Sequence, residues 1–472
     1  MTDPSPTQER TLAFPTDRAS GNDRERWQSS DRIIDRRRRI ESMLDCSLSR
    51  LRLQRPRHVG GTGAVAWSSV LDFDRPWMAV VSSRIGHRVA VHRQICRQIV
   101  LSAHTAKKVG ATWIVGHQTA IEPWLRHAAD RFQIPLVGWA GPNARGDTTA
   151  VDWVICRDDD IPIDINAVVM AIADRVDVVR VRRRGKIAGC LDRRLAWTPG
   201  LVRVSVDDIP EKSSAGSDWL ARGAVGRYLP PERPARPIIR HEGAVNLSDP
   251  EKDEPVAPSP PATAVPLTDS AAGKWLVHCT RGRNGPWPGQ ALAAYRDDLL
   301  LGPPDVASRG PLDALRRIVR TGCLVAGAVA SRREHPVVCF SAVPIAELLS
   351  RRQYRSHLKR WDYEPFGVAI RREAAERFGC LPAIYGDNQK LCQLDPAEQF
   401  RFVAQGDRVD WTREQEWRVA GSLDLTQLRA SDVRLFVPNE TCIAFLQQEN
   451  RHGWKIEAVS RPCTGDPTSS AG

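Results

Sequence analysis

The 472-residue chain lacks any run of about 18 apolar residues, so it offers no candidate membrane-spanning helix. Its opening, Met1-Thr2-Asp3-Pro4-Ser5-Pro6, is polar and lacks the apolar centre of a secretory signal. The 11 cysteines include no Cys-x-x-Cys pair, and no Cys/His group has zinc-finger spacing. Together these absences predict reduced thiols, no metal, no membrane partner and a cytoplasmic location. What is present is 42% hydrophobic residues, enough for sizeable cores, and a formal net charge of +12. That excess permits binding to nucleic acid or another acidic surface. It does not localise a site, because arginine is spread along the whole length.

Length predicts roughly three domains at about 150 residues each. Residues 1–26 are polar and rich in Pro, Ser and Thr, and read as a disordered tail. Residues 27–62 form a basic segment in which Ile33, Ile34, Ile40, Met43, Leu44, Leu48 and Leu51 recur at helical spacing. Arg36-Arg37-Arg38-Arg39 within it is either a solvated helix face or a contact for nucleic-acid phosphate. Four consecutive residues point all round a helix, so they cannot form one narrow stripe. Residues 63–204 alternate short apolar strands with amphipathic helices, which predicts an α/β, Rossmann-like parallel sheet. Proline-dense stretches such as Pro230-Pro231-Glu232-Arg233-Pro234 mark residues 205–273 as a linker. Residues 274–462 read as an α+β domain with a mixed sheet, and 463–472 as a tail.

Two loops in the first domain follow apolar strands and precede helices: Ser82-Ser83-Arg84-Ile85-Gly86 and Gly116-His117-Gln118-Thr119. Ligands of open parallel sheets bind beyond the carboxyl ends of strands. Small residues there let backbone amides approach a phosphate at a helix N-terminus, and Arg84 adds a charged donor. Ser83, Arg84, Gly86, Gly116 and Thr119 are therefore candidate nucleotide-binding residues; the alternative is two ordinary strand-to-helix turns. Over roughly 75–185 the pattern resembles the DNA-processing-protein and lysine-decarboxylase-like (LOG) nucleotide-binding superfamily. The resemblance implies a nucleotide-sensing domain. Arg182-Arg183-Arg184-Gly185-Lys186 reads as a solvated turn after a strand.

Near the C-terminus, Thr412-Arg413-Glu414-Gln415-Glu416-Trp417-Arg418 places two glutamates two residues apart at the start of an apolar strand. In extended backbone that spacing aims both carboxylates the same way. The other elements of the region are His278-Cys279-Thr280-Arg281 ending a first strand, a helix closing near Gly322, Val338-Cys339-Phe340-Ser341, and Tyr385. In this order they resemble the ADP-ribosyltransferase-like toxins, including their DNA-modifying branch. That resemblance implies NAD as the cofactor, and a protein or nucleic acid as acceptor, in toxicity or defence.

It further implies roles for single residues. Glu416 stabilises positive charge on the ribose as nicotinamide leaves, and Glu414 orients or deprotonates the acceptor. His278 donates to a ribose hydroxyl. Thr280 or Arg281 bonds the diphosphate, Ser341 shapes the nicotinamide pocket, and Tyr385 offers a stacking face. Such a site requires His278, Ser341, Tyr385 and Glu416 to line one cleft. The bland alternatives are a capped strand end at His278 and surface ion pairs of the glutamates with Arg413 and Arg418; Trp361 and Tyr363 read as packing. A chain with none of this chemistry would be a basic nucleic-acid-binding or scaffold protein.

Overall fold

A computed structural model describes residues 32–56, 64–65, 75–143, 149, 151–158, 161–182, 184–197, 201–206, 216–229, 266–269, 272–327, 335–355, 360–405 and 410–459. The two tails and most of the Pro-rich stretch lie outside them. The chain divides near Pro231 into two compact units.

The first unit is built on a nine-stranded sheet. Its strands are β1 (Leu51–Gln54), β2 (Ala64–Val65), β3 (Trp77–Ser82), β4 (Thr112–Gly116), β5 (Leu136–Ala140), β6 (Trp153–Arg157), β7 (Arg175–Arg180), β8 (Val202–Val206) and β9 (Val225–Tyr228). They lie in the order β2-β1-β6-β5-β4-β3-β7-β8-β9. Every pair from β6 to β9 is parallel, while β1 joins β6 and β2 in antiparallel fashion. The sheet is thus doubly wound and Rossmann-like. β3 is buried at all six positions, as a strand covered on both faces requires.

The sheet extends further than the 63–204 boundaries predict. It takes in the end of β8 and all of β9 beyond residue 204, and β1 before residue 63. The helical spacing read from Ile33 to Leu51 also stops early. Helix α1 (Arg32–Leu44) ends there, and Leu51 and Leu53 instead point into the core from β1. The period of α1 and the alternation of β1 share enough apolar positions to be confused in the sequence.

Arg36 and Arg39 are neither a solvated face nor a phosphate contact. Both are buried, Arg36 forks onto Asp174 with its Nε 3.0 Å from Oδ1, and Arg39 donates to the Ala171 carbonyl. Only Arg37 and Arg38 face out.

The second unit carries a seven-stranded mixed sheet: β10 (Trp275–Cys279), β11 (Val337–Ser341), β12 (Gly367–Arg371), β13 (Leu381–Pro382), β14 (Glu416–Ala420), β15 (Val433–Val437) and β16 (Lys455–Ala458). The order is β13-β14-β11-β10-β12-β15-β16, antiparallel throughout except between β15 and β16. Leu276, Phe340, Val368 and Leu435 line one apolar face, and Trp275, Val277, Ala369 and Phe436 line the other.

One seam is loose. β10 matches five residues of β12, and β11 matches five of β14, but β10 and β11 share only the pair Val277↔Ser341. The ladder between the two halves of the sheet is confined to that pair. Among the described residues no helix is long and apolar enough to cross a membrane.

Candidate active site

The two glutamates are not presented by extended backbone. Glu414 ends a short 3-10 helix (Trp411–Glu414), Glu416 begins β14, and Gln415 between them is left-handed at φ +44°. That turn brings the carboxylates into one cluster from two different elements. Ser341 stands opposite Glu416 in the ladder; its Oγ donates to the Glu414 carbonyl at 2.6 Å and accepts from the Val343 amide. The Glu416 amide donates to the Tyr385 hydroxyl at 2.9 Å. Ser341 and Tyr385 therefore hold the backbone on either side of Gln415.

The two carboxylates have different surroundings. Glu416 Oε1 accepts from Arg418 Nε at 2.9 Å, and the Cys339 thiol donates to the same carboxylate. Arg418 is buried and is itself held by the Phe400 and Phe402 carbonyls, so this is no loose surface pair. Glu414 accepts from the Tyr363 hydroxyl at 2.8 Å. Burial pushes the Glu414 carboxyl above the ordinary glutamate range; the neighbouring Glu416 adds to this, and Tyr363 and Arg281 oppose it. Two acids with environments this unlike can take different parts in one reaction.

Tyr363 is the residue that sequence reasoning missed. It reads as packing in the sequence, yet it bonds Glu414 from a left-handed backbone at φ +52°. Positive φ is uncommon outside glycine and clusters at working sites. No sequence signal marks it, because both its backbone conformation and its partner 51 positions away are products of the tertiary fold.

His278 reaches the cluster indirectly. Its Nδ1 donates to the Cys339 carbonyl at 2.8 Å, across the seam where the β10–β11 ladder has stopped. Its ring meets Phe340 edge-on at 5.8 Å. Strand alternation puts His278 and Phe340 on one face, and Cys339, Ser341 and Glu416 on the other. Ser341, Tyr385 and both glutamates are thus brought together, while the imidazole approaches the same strand from its other side. His278, Ser341, Tyr385 and Glu416 therefore do not line the single cleft expected of them, because alternation along β10 turns His278 to the opposite face from Val277. Burial lowers the His278 pKa, so the ring is neutral, and with Nδ1–H on a carbonyl its Nε2 is an acceptor. It can receive a hydroxyl proton but not donate one, the reverse of the role predicted for it.

Thr280 is committed to the fold. It is buried, and its hydroxyl lies within hydrogen-bonding distance of the Pro311 and Phe366 carbonyls. Arg281 is exposed, and its charge is felt by His278, Tyr363 and Glu414 alike. Cys279 and Cys339 are no ready nucleophiles: burial pushes Cys279 up to about 12, and burial together with Glu416 pushes Cys339 higher still.

In the first unit the chain winds outward from β3 through β6, then returns to β7 and winds the other way, so the strand order reverses between β3 and β7. Such a switch point is where open α/β sheets bind ligands. Ser83 sits there: its amide donates to the Arg180 carbonyl at 2.8 Å, and its Oγ accepts from the Arg182 amide at 3.1 Å. Arg84, Arg182, Arg184 and Lys186 are exposed around this point. Helix α5 (Lys186–Leu195) begins at Gly185, which supplies no side-chain cap.

Gly86 provides the φ +78° bend that leads toward helix α2 (Val89–Val109). Gly116 and Thr119 make a closed turn: the Thr119 hydroxyl donates to the Gly116 carbonyl, and a Cβ on Gly116 would lie 2.9 Å from the Thr119 methyl. Glu122, opening helix α3 (Glu122–Phe132), accepts from the Gln118 amide and His117. A carboxylate of the chain already accepts from the Gln118 amide, while the His117 and Thr119 amides donate to the Trp139 and Gly116 carbonyls, so a phosphate would find these three taken.

The first unit is thus a doubly wound α/β unit with a basic switch point, and the second an α+β unit with a braced pair of acids. No family model matches the chain, and no curated protein matches it. Among solved structures the chain is similar to DNA processing protein A from Helicobacter pylori, described for its single-stranded DNA binding mode: 14% identity, 40% of this chain and 86% of that one, TM-score 0.29. It is also similar to DNA processing protein A from Streptococcus pneumoniae: 13% identity, 34% of this chain and 67% of that one, TM-score 0.26.

Proposed function

We propose that the second unit is an ADP-ribosyltransferase-like enzyme that cleaves NAD at the Glu414–Glu416 cluster, and that the first unit binds a nucleotide at its switch point. The observation that carries the first claim is the braced pair itself: Glu416 fixed by Arg418, and Glu414 half-buried against Tyr363 with its pKa raised.

The residues fit NAD on one count. Arg281 is an exposed guanidinium beside the acids and suits a diphosphate. NAD supplies the glycosidic bond and the nicotinamide leaving group. Glu416 faces the positive charge that develops on the sugar, and a carboxylate already oriented by Arg418 needs no reorganisation to stabilise it. Glu414, with its raised pKa, takes the proton of the attacking acceptor. Ser341 and Tyr385 keep the two carboxylates at a fixed separation and do not touch the ligand.

Binding tests the reading before any chemistry. Calorimetric titration of the full chain with NAD should give saturable heat, and Arg281→Ala should weaken binding by about tenfold, the worth of a charge-assisted hydrogen bond. An absence of heat in the unaltered chain would remove NAD as the ligand.

A further inference from the structure

The loop between β10 and the helix Leu292–Leu300 carries Arg281, and its folding turns on one buried residue outside it. The Arg309 side chain is only 3% exposed, too deep for a guanidinium to go unheld. Its Nη2 donates to Asp298 Oδ2 at 2.8 Å, and its Nη1 donates to the Val306 and Ser308 carbonyls. The same guanidinium lies 4.9 Å from the Trp287 ring centre and 5.6 Å from that of Tyr295. Gln290 closes the circle: its Oε1 accepts from the Trp287 amide at 3.0 Å, and its Nε2 donates to Asp298 at 2.8 Å. The far end of the loop is thus wrapped round this one side chain.

The near end is held by the backbone of the same residue. The Arg283 amide donates to the Arg309 carbonyl at 2.8 Å. Gly282 comes so close that a Cβ on it would lie 3.0 Å from that carbonyl oxygen. The oxygen cannot give way without disturbing the Arg283 bond, so the close approach requires glycine here. On the other side of Arg281, the Thr280 amide donates to the Phe366 carbonyl at 2.8 Å, and its hydroxyl donates to the Pro311 carbonyl at 2.9 Å. Arg281 is therefore displayed from backbone fixed on both sides, while the residue itself is exposed.

We propose that Arg309 is a positioning residue: it holds the loop so that the Arg281 guanidinium stands beside Glu414. A cation presented from a fixed backbone loses less freedom on meeting an anion than one on a slack loop. The inference rests on the proposed function for the identity of that anion, the NAD diphosphate. The placement of Arg281 does not depend on NAD and can be read from Glu414, whose carboxyl also faces Tyr363, Glu416 and Asp362. The Arg281 charge favours the ionised form of Glu414 and lowers its pKa, so moving that charge away raises it.

The test is a pH titration of the Glu414 carboxyl by NMR in the full chain. Gly282→Ala leaves the Arg309–Asp298 pair in place and pushes the loop off the Arg309 carbonyl. Arg309→Lys keeps the charge opposite Asp298 but not the planar face against Trp287 and Tyr295. Both should raise the Glu414 midpoint, as Arg281→Ala does, and neither should raise it further in a chain that already carries Arg281→Ala. A midpoint unmoved by either variant, a midpoint unmoved by Arg281→Ala, or an equal rise in the absence of Arg281 would each overturn the inference. A residue that serves only the fold would leave the Glu414 midpoint where it is. In parallel, NAD should bind each variant about tenfold more weakly than the unaltered chain. No heat with NAD in the unaltered chain, beside the expected Glu414 shifts, would sink the NAD reading and leave Arg309 in its assigned role.

Discussion

Gln415 stands left-handed between two glutamates, a conformation that costs a non-glycine residue about 1 kcal/mol or more. Ser341 and Tyr385 hold it there through the backbone of its neighbours, so the bend does not depend on Gln415's own side chain. The Glu-x-Glu spacing was legible in the sequence; the bend was not, since no local residue encodes it. The Tyr363 hydroxyl favours the ionised form of Glu414, opposing the effect of burial. Tyr363→Phe removes that bond, so the Glu414 pKa rises further. A base must be deprotonated to act, and the acid limb of the pH–rate profile should therefore move to higher pH. Carboxyl NMR of Glu414 should show the same upward shift without any turnover. A limb and a resonance that stay in place would show that Tyr363 only packs.

At the level of elements, most strands and helices follow from periodicity alone. The buried run of β3, the amphipathic α2 ended by Gly110 at φ +65°, and the β11 run before Pro344 all lie where hydrophobic spacing puts them. What spacing could not supply is which elements meet. Arg182–Lys186 reads as a solvated turn, yet it borders Ser83 because β7 returns to the side of β3, a crossover set by the sheet and not by either segment. Likewise Arg36 and Arg39 look like their exposed neighbours until α1 packs against helix α4 (Ile165–Ile172) and meets Asp174. That carboxylate also accepts from the Trp77 amide, pinning α1 to β3. Asp174→Asn should cost about 3–5 kcal/mol in urea unfolding, because buried guanidiniums lose their counter-charge. Arg37→Ala, at an exposed position, should change stability by no more than about 0.5 kcal/mol. Equal effects from the two substitutions would contradict the burial argument.

At the level of the whole molecule, both fold classes were legible, because alternating strands and helices differ in pattern from the mixed second half. The extent of the first unit was not. β9 lies just before the proline-dense stretch, and three of its four residues are exposed or glycine, so it carries no strand signal. The net charge of +12 likewise says nothing of position until the exposed arginines are placed, some at the switch point of the first unit and Arg281 beside the acid pair of the second. The central claim is that the acid pair of the second unit cleaves NAD, and nicotinamide release by the full chain tests it most directly, run beside Glu416→Gln. The account predicts release by the unaltered chain and a fall of about a hundredfold or more in the variant, with its thermal unfolding midpoint unchanged. Release at the same rate in a folded Glu416→Gln variant would contradict it.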